Sequence, residues 1–445
     1  MPTISTATLI DALLYRRSSR FAAGMSLNGG PLQYKSARTP QPLTAEEEAA
    51  LAFAACGVTG STLAELPYDS GSVPNAGGGN IMKQFVARTA PSADALHTVT
   101  VFVTNDDGTW MLRRPQDFPR AEVPSLIDAA RRHQWMDLYD RSRVRIAAAR
   151  TDVPRELPFV PSFNKWSANV PGTTYFIPVN ELTALYLNIL LSAFSSDFSY
   201  FVVDERRGFR PAGIANFGRS KGGSLYDNPR DCRFVTVGFL ESWLIEMAAI
   251  ERGGILQNLG LMSQALGLGG FPHFAAHPFA WPRALGFRME EPSFSRVSAA
   301  GPLLKTVLRM TGRDIPLPTG VGLERGAEVL IKPYCPPYYP TMTAAVRAFV
   351  DEKFAAGTGA FRDDGAATPW REPGSIQAGI PPYSSTAIDA TIAYCEYVYN
   401  RYGRFPAACG PFRTVLAYQA HRLDPDFYAR FYRDDTLRSA TVPVR

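Results

Sequence analysis

Apolar positions change their spacing several times along this chain, and each change marks an element. Leu9, Ile10, Leu13 and Leu14 fall three or four apart, the stripe of a short amphipathic helix that ends at Arg16 and Arg17. Thr44-Ala45-Glu46-Glu47 is a capping box, in which the threonine hydroxyl accepts from the third backbone amide while Glu47 reaches back, so a helix runs to about Ala55 and stops at Gly57. Residues 68–80, rich in Gly, Ser, Pro and Asn, read as a loop. From Thr98 to Thr104 the spacing falls to two. Asn105-Asp106-Asp107-Gly108 then turns the chain into a partner strand, Thr109 to Arg113, which together make a β-hairpin.

Further on, Ala121 to Arg150 reads as helical and strongly charged. Asn180 is placed to cap a helix whose buried face is Leu182, Leu185, Tyr186, Ile189, Leu190 and Ala193. Ser199 to Val203 reads as a short buried strand. A long helix, about Glu241 to Leu266, carries Leu244, Ala248, Ile255, Leu259, Met262 and Leu266 as its stripe. Gly253 and Gly254 sit in its middle. Each glycine there costs about 1 kcal/mol relative to alanine, so close approach of another backbone or of a flat ring is expected to offset them. After Gly301 the texture turns proline-rich, as in Pro333-Tyr334-Cys335-Pro336-Pro337-Tyr338-Tyr339-Pro340, with short helical runs between. The expected organisation is a body over residues 1–300, with a helical insertion at about 116–175, and an extension over 301–445 laid on that body.

Composition narrows the function classes. A chain of 445 residues, 46% of them hydrophobic, can bury one large core or two moderate ones. A net charge of +5 over that length is too small to imply nucleic acid or an anionic membrane as principal partner, and suits a small or phosphorylated ligand. Five cysteines (Cys56, Cys232, Cys335, Cys395 and Cys409) lie far apart with no C-x-x-C spacing, so they read as free thiols in a reducing compartment. The N-terminus has no secretory pattern, and the longest apolar stretch, 182–194, is too short to cross a bilayer. A cytoplasmic location is expected.

The candidate chemistry lies in three separated patches. Arg16-Arg17-Ser18-Ser19-Arg20 is basic. Arg88-Thr89-Ala90-Pro91-Ser92-Ala93-Asp94-Ala95-Leu96 is a small-residue turn leading into a strand. Gln257-Asn258-Leu259 and Gly267-Leu268-Gly269-Gly270 lie on and just after the long helix. In this order the patches resemble the FMN-dependent nitroreductase superfamily. Cys56-Gly57-Val58-Thr59-Gly60 and the Arg88 segment are most similar to its branch of azoline (thiazole/oxazole) dehydrogenases. The resemblance spans Arg16 to about Gly270.

It implies an α+β fold, with a central, mostly antiparallel sheet wrapped by helices, and a homodimer with FMN at its interface. Arg16, Arg17, Ser18 and Arg20 would take the phosphate and ribityl end. Arg88, Pro91, Ser92, Ala93 and Asp94 would run along the ring, with Gln257, Asn258 and the turn Gly267, Leu268, Gly269 and Gly270 beside it. Guanidinium forks pair with phosphate oxygens, and small residues let backbone amides approach a ring edge that gains negative charge on reduction. The implied activity is hydride transfer at the flavin N5 to or from a small organic substrate, NAD(P)H-linked or, alternatively, dehydrogenating a peptide or natural-product azoline. The chain departs from the branch at Asp94, where glycine is usual, and at His97-Thr98, where an aromatic-proline pair is usual. Lys165-Trp166 does not match the branch's Lys-Tyr pair. A cofactor-free binding subunit of the same fold is the third reading.

Other patterns carry less. His273 and His277 are four apart, but Pro272 and Pro278 bracket them, so aromatic packing is favoured over metal ligation. The arginines from 131 to 150 are interleaved with Asp137 and Asp140, which suits a solvated helix rather than nucleic acid. His421-Arg422-Leu423-Asp424 has no G-x-S-x-G partner and reads as structural. No Walker-type phosphate loop is present, and Gly77-Gly78-Gly79 opens no Rossmann helix.

Overall fold

A computed structural model of the chain describes residues 8–66, 79–274, 277–363, 365 and 368–437. Most of the glycine-rich stretch read as a loop at 68–80 lies outside these residues. The architecture mixes helix and sheet. Its main sheet runs in the order Gly269–Phe274, Leu416–His421, Thr174–Glu181, Val99–Asn105, Gly108–Leu112, Arg143–Ala147, and every neighbouring pair is antiparallel. Phe412–Arg413 pairs with the far end of Thr174–Glu181.

Both faces of this sheet are covered. Val99, Val101 and Val103 point with Phe176 and Tyr418 toward two helices, Ala45–Cys56 and Val237–Ala265, meeting Leu51, Ile255 and Leu259. Phe102, Tyr175, Ile177 and Val179 point the other way, into a cluster with Trp281, Leu285 and Phe287. A third core surrounds the helix Thr183–Ala193, which packs with Ser385–Tyr402 and with a smaller sheet where Phe201–Asp204 runs parallel to Phe234–Thr236.

The capping box forms as its residues dictate. Glu47 N donates to Thr44 Oγ1 at 3.2 Å and Thr44 N donates to Glu47 Oε2 at 2.8 Å. The hairpin forms between Val99–Asn105 and Gly108–Leu112. Two expectations need correction. The stretch from Ala121 to Arg150 is helical only over Val123–Arg131 and Trp135–Ser142, then becomes the edge strand Arg143–Ala147, where Arg143 and Arg145 face out around the buried Val144. Asn180 is not a cap: it lies in the wholly buried strand Thr174–Glu181, and the following helix is capped by the Glu181 carboxylate, which accepts from Thr183 N at 2.7 Å and Ala184 N at 3.2 Å. Beyond residue 301 the chain supplies Leu416–His421 to the interior of the main sheet, between strands that precede it in the chain by more than a hundred residues.

The paired glycines separate into two roles. A Cβ on Gly254 would stand 2.7 Å from Pro91 Cδ, whereas one on Gly253 would meet nothing within 4 Å. Gly254→Ala is therefore expected to lose about 1–3 kcal/mol by overpacking, and Gly253→Ala to gain about 0.5–1 kcal/mol from helix propensity and the stiffer unfolded chain. Urea unfolding of the two variants checks this, and equal effects would show that the turn does not press on the helix.

Candidate functional site

The helix Val237–Ala265 organises every patch singled out in the sequence. Its buried residue Glu251 collects the turn: Oε2 accepts from Ser92 Oγ at 3.1 Å and Thr98 Oγ1 at 2.8 Å, while Oε1 accepts from Val99 N at 3.0 Å and pairs with the Arg88 guanidinium. Arg88 also donates to Val99 O at 3.1 Å, and its side chain is wholly buried. One turn along, Pro91 lies on Gly254, and Asn258 Nδ2 donates to Thr89 O at 3.1 Å. The turn and the Gln257-Asn258 segment thus meet directly, while Gln257 itself is exposed.

Farther along the same helix the Arg16 side chain lies against Gly260. Arg16, Arg17 and Ser18 are exposed, and Arg17 Nη1 donates to the helix-end carbonyls of Leu14 and Arg16 at 3.2 and 3.0 Å. Arg20 turns inward. Its Nη2 donates to Asn164 Oδ1 at 2.5 Å and Ser167 Oγ at 3.1 Å, its guanidinium lies 4.7 Å from the Phe271 ring centre and 5.3 Å from that of Trp166, and burial lowers its pKa.

Gly267, at φ 70°, ends the helix, and Leu268 is buried behind it. Gly269 and Gly270 open the strand opposite His421 and Ala420, where a Cβ on Gly269 would fall 2.6 Å from His421 Nε2 and one on Gly270 would strike the Tyr418 hydroxyl. These glycines serve close packing between two strands.

Asp94 has a separate explanation. Its φ of 51° places it in the left-handed region that favours Gly, Asn and Asp, which is why an aspartate suits this position. The side chain points away from the long helix and accepts from Asn188 Nδ2 at 2.9 Å. Burial raises its pKa, opposed by the nearby Lys353 ammonium and by that bond. Lys353, fully buried, donates to Tyr383 Oη at 2.5 Å and to Asn80 O, and burial drives its pKa well below the usual lysine value. Ala93, next to Asp94, packs partly buried against the third core.

Three histidines are buried and neutral. His97 Nε2 lies 2.6 Å from Val86 O, and burial, then the Arg88 charge, pushes its pKa down to about 3. His273 Nε2 meets Tyr175 Oη at 2.5 Å and is pushed to about 4, chiefly by burial. His421 is pushed to about 3 by burial. Among the described residues no group of three His, Cys, Asp or Glu is placed to hold a metal ion, and no helix is long and apolar enough to cross a membrane.

A cavity of about 690 Å³ lies elsewhere, on the far side of the small-residue turn from the long helix. Lys83, Arg114 and Glu181 line it from one side; Lys332, Tyr334 and Glu352 close it from the other. Lys83 Nζ pairs with Glu352 at 2.6 Å and Arg120 with Asp363 at 2.7 Å, so two ion pairs among the lining residues join segments of the chain more than two hundred positions apart. Of the small-residue turn only Leu96 lines it, with Tyr334 and Tyr338 of the proline-rich run, and none of the residues expected to touch the cofactor does. It joins side chains more than two hundred positions apart, which no local pattern announces.

No family model matches the chain, and no curated protein matches it. Among solved structures, a chain from Ralstonia eutropha JMP134, provisionally assigned as a nitroreductase, is similar over 63% of this chain and 75% of its own, at 15% identity and a TM-score of 0.28. A superposition that loose fixes neither fold nor chemistry.

Proposed function

We propose that the chain is an FMN-dependent oxidoreductase of the nitroreductase-like class, transferring hydride to or from a small organic substrate and drawing on NAD(P)H when it reduces. The observation that carries the reading is the convergence on one helix: the turn at Glu251, Gly254 and Asn258, and Arg16 at Gly260. The donor set suits a phosphorylated cofactor. The exposed side chains of Arg16 and Ser18 make no hydrogen bond among the described residues, and the buried Arg20 Nε is likewise unpartnered. Bound there, FMN would supply the hydride chemistry at N5. The chain's own part is to hold the phosphate through Arg16 and Ser18, to fix the turn through Glu251, and to exclude water around Phe271 and Trp166.

A homodimer fits the same surface. Phe239, Trp243 and Ile250 are exposed along the long helix at helical spacing, and the N-terminal helix, which packs on that helix, exposes Leu9, Ile10, Leu13 and Leu14. Together they form the kind of apolar seam that a second copy covers.

The purified protein is expected to be yellow, and anaerobic NADH or NADPH is expected to bleach it. Arg16→Ala and Ser18→Ala should weaken FMN binding roughly ten- to a hundredfold, the worth of one charge-assisted hydrogen bond. A colourless protein that refuses added FMN would overturn the proposal. The azoline-dehydrogenase reading is favoured by one feature, the cavity wall that Lys332, Tyr334 and Glu352 build against the body. Turnover of a thiazoline peptide, lowered by Tyr334→Ala with FMN still bound, would select it.

A further inference from the structure

Beside Glu251 on the long helix, Arg252 is only 5% exposed, and its Nε and Nη1 have no hydrogen-bond partner. The charge of Arg413 acts on it. The strand Phe412–Arg413 sets Arg413 opposite Asn180, and Asn180 Nδ2 donates to Ala248 O at 3.3 Å, one helical turn before Arg252. Arg413 Nε and Asn180 Oδ1 are also buried without partners. Burial, followed by the like charge of Arg413, lowers the Arg252 pKa to about 10.

Neither arginine forms an ion pair among the described residues. The acids on the same helix are engaged elsewhere: Glu251 holds Arg88, and Glu241 accepts from Ala407 N and Ala408 N at 2.6 and 2.7 Å. Cys409, whose thiol touches Arg413, is pushed up to about 12 by burial and stays uncharged. The two neighbouring guanidiniums thus keep buried N–H groups to spare and have no ion-pair partner of their own; the charge of Glu251 reaches Arg252 but offsets burial and the like charge of Arg413 only in part, and a bound anion would meet the rest of the desolvation cost.

We propose that Arg252 and Arg413 form a binding site for a phosphate-type oxyanion, separate from the FMN phosphate position at Arg16 and Ser18. Gly260, where Arg16 packs, stands eight positions, about 12 Å of helix, beyond Arg252. Two guanidinium forks offer donors to several oxygens of a tetrahedral anion. Monohydrogen phosphate also carries an O–H that Asn180 Oδ1 accepts, whereas a carboxylate has no proton to give it. The site selects phosphate over acetate for that reason.

The test uses the full chain without flavin, at constant ionic strength set by sodium chloride. Inorganic phosphate is expected to raise the thermal midpoint saturably, and acetate is expected to leave it unchanged. Arg413→Met should abolish the phosphate response while keeping or raising the midpoint in chloride, because one of two like charges is gone. Arg252→Met should do the same. If that buried variant does not fold, isothermal titration of inorganic phosphate into wild type and into Arg413→Met replaces it. No rise in wild type, an equal rise with acetate, or an undiminished rise in Arg413→Met overturns the site. Methyl phosphate separates the sources of the anion: binding as tight as inorganic phosphate assigns the phosphoryl group of a ligand, weaker binding assigns free phosphate. The readouts need no flavin, so their failure and that of the FMN reading are told apart.

Discussion

Replacing Glu251 by alanine is expected to cost about 3–5 kcal/mol, the range for breaking a buried ion pair by removing one partner, and so to unfold much of the chain at ambient temperature. The carboxylate takes bonds from Ser92, Thr98, Val99 and Arg88, and all of these but the half-buried Ser92 are shielded from water. Alanine would leave the Arg88 charge buried beside Val99 O with nothing opposite it. Glu251→Gln is expected to lose less, since an amide oxygen in the Oε1 place still accepts from Val99 N and Arg88 while the NH₂ group faces the Thr98 and Ser92 hydroxyls, which can turn to accept, but the buried Arg88 charge loses its counter-charge. The double variant Arg88→Met/Glu251→Leu is expected to recover most of the loss, because an apolar pair of similar volume avoids both desolvation penalties. Urea unfolding followed by circular dichroism measures all three. A loss below about 1 kcal/mol for Glu251→Ala would mean that the pair is solvated and the turn is held by Pro91 on Gly254 alone.

That glutamate also shows where the sequence was readable and where it was not. Its position is legible in retrospect, because the helix stripe Leu244, Ala248, Glu251, Ile255, Leu259 keeps three-four spacing, so a charge stands on the buried face. Reading for motifs drew the eye instead to Arg88 and Asn258. It named segments that do touch, but the contact between them is a carboxylate network that motif order does not specify. The first two helices and the hairpin follow from local rules, since a capping box and a two-residue Asp106-Asp107 turn are decided within a few residues.

The strand Thr174–Glu181 does not follow, because a strand buried on both faces has no alternation and this one contains Pro178. Arg143–Ala147 hides for the opposite reason: arginines that guard an exposed edge look like the polar face of a helix. Leu416–His421 takes its place from pairing with strands far back in the chain, and so does the cavity between Arg114 and Tyr334.

Lowering the pH from 7 to 5 is expected to weaken the fold, and the three buried histidines decide the sign. An ordinary imidazole titrates at 6.5, but His97 and His421 are held near about 3 and His273 near about 4, in each case first by burial. In the unfolded chain all three take up a proton as the pH falls through 6.5, while in the folded chain they do not. Their contribution is fully present above the unfolded value and is lost below it. At about 1.4 kcal/mol per pH unit below the unfolded value, each removes about 2 kcal/mol at pH 5, roughly 6 kcal/mol together.

Glu241 works against them. Burial raises its pKa from 4.5 to about 7, so its stabilising contribution is fully present below 4.5 and is lost as the pH rises through about 7. It therefore returns about 2 kcal/mol over the same interval, and Glu48 and Glu181, also raised by burial, act on its side. The histidines prevail, with a net loss of a few kcal/mol against a typical domain stability of about 5–15 kcal/mol. His97→Gln, whose amide can still donate to Val86 O, isolates one share: its loss between pH 7 and 5 should be about 2 kcal/mol smaller than wild type. A pH slope identical to that of wild type would mean that His97 is charged or solvated in the fold, and a wild-type stability that rises toward pH 5 would mean that the carboxylates govern the acid limb.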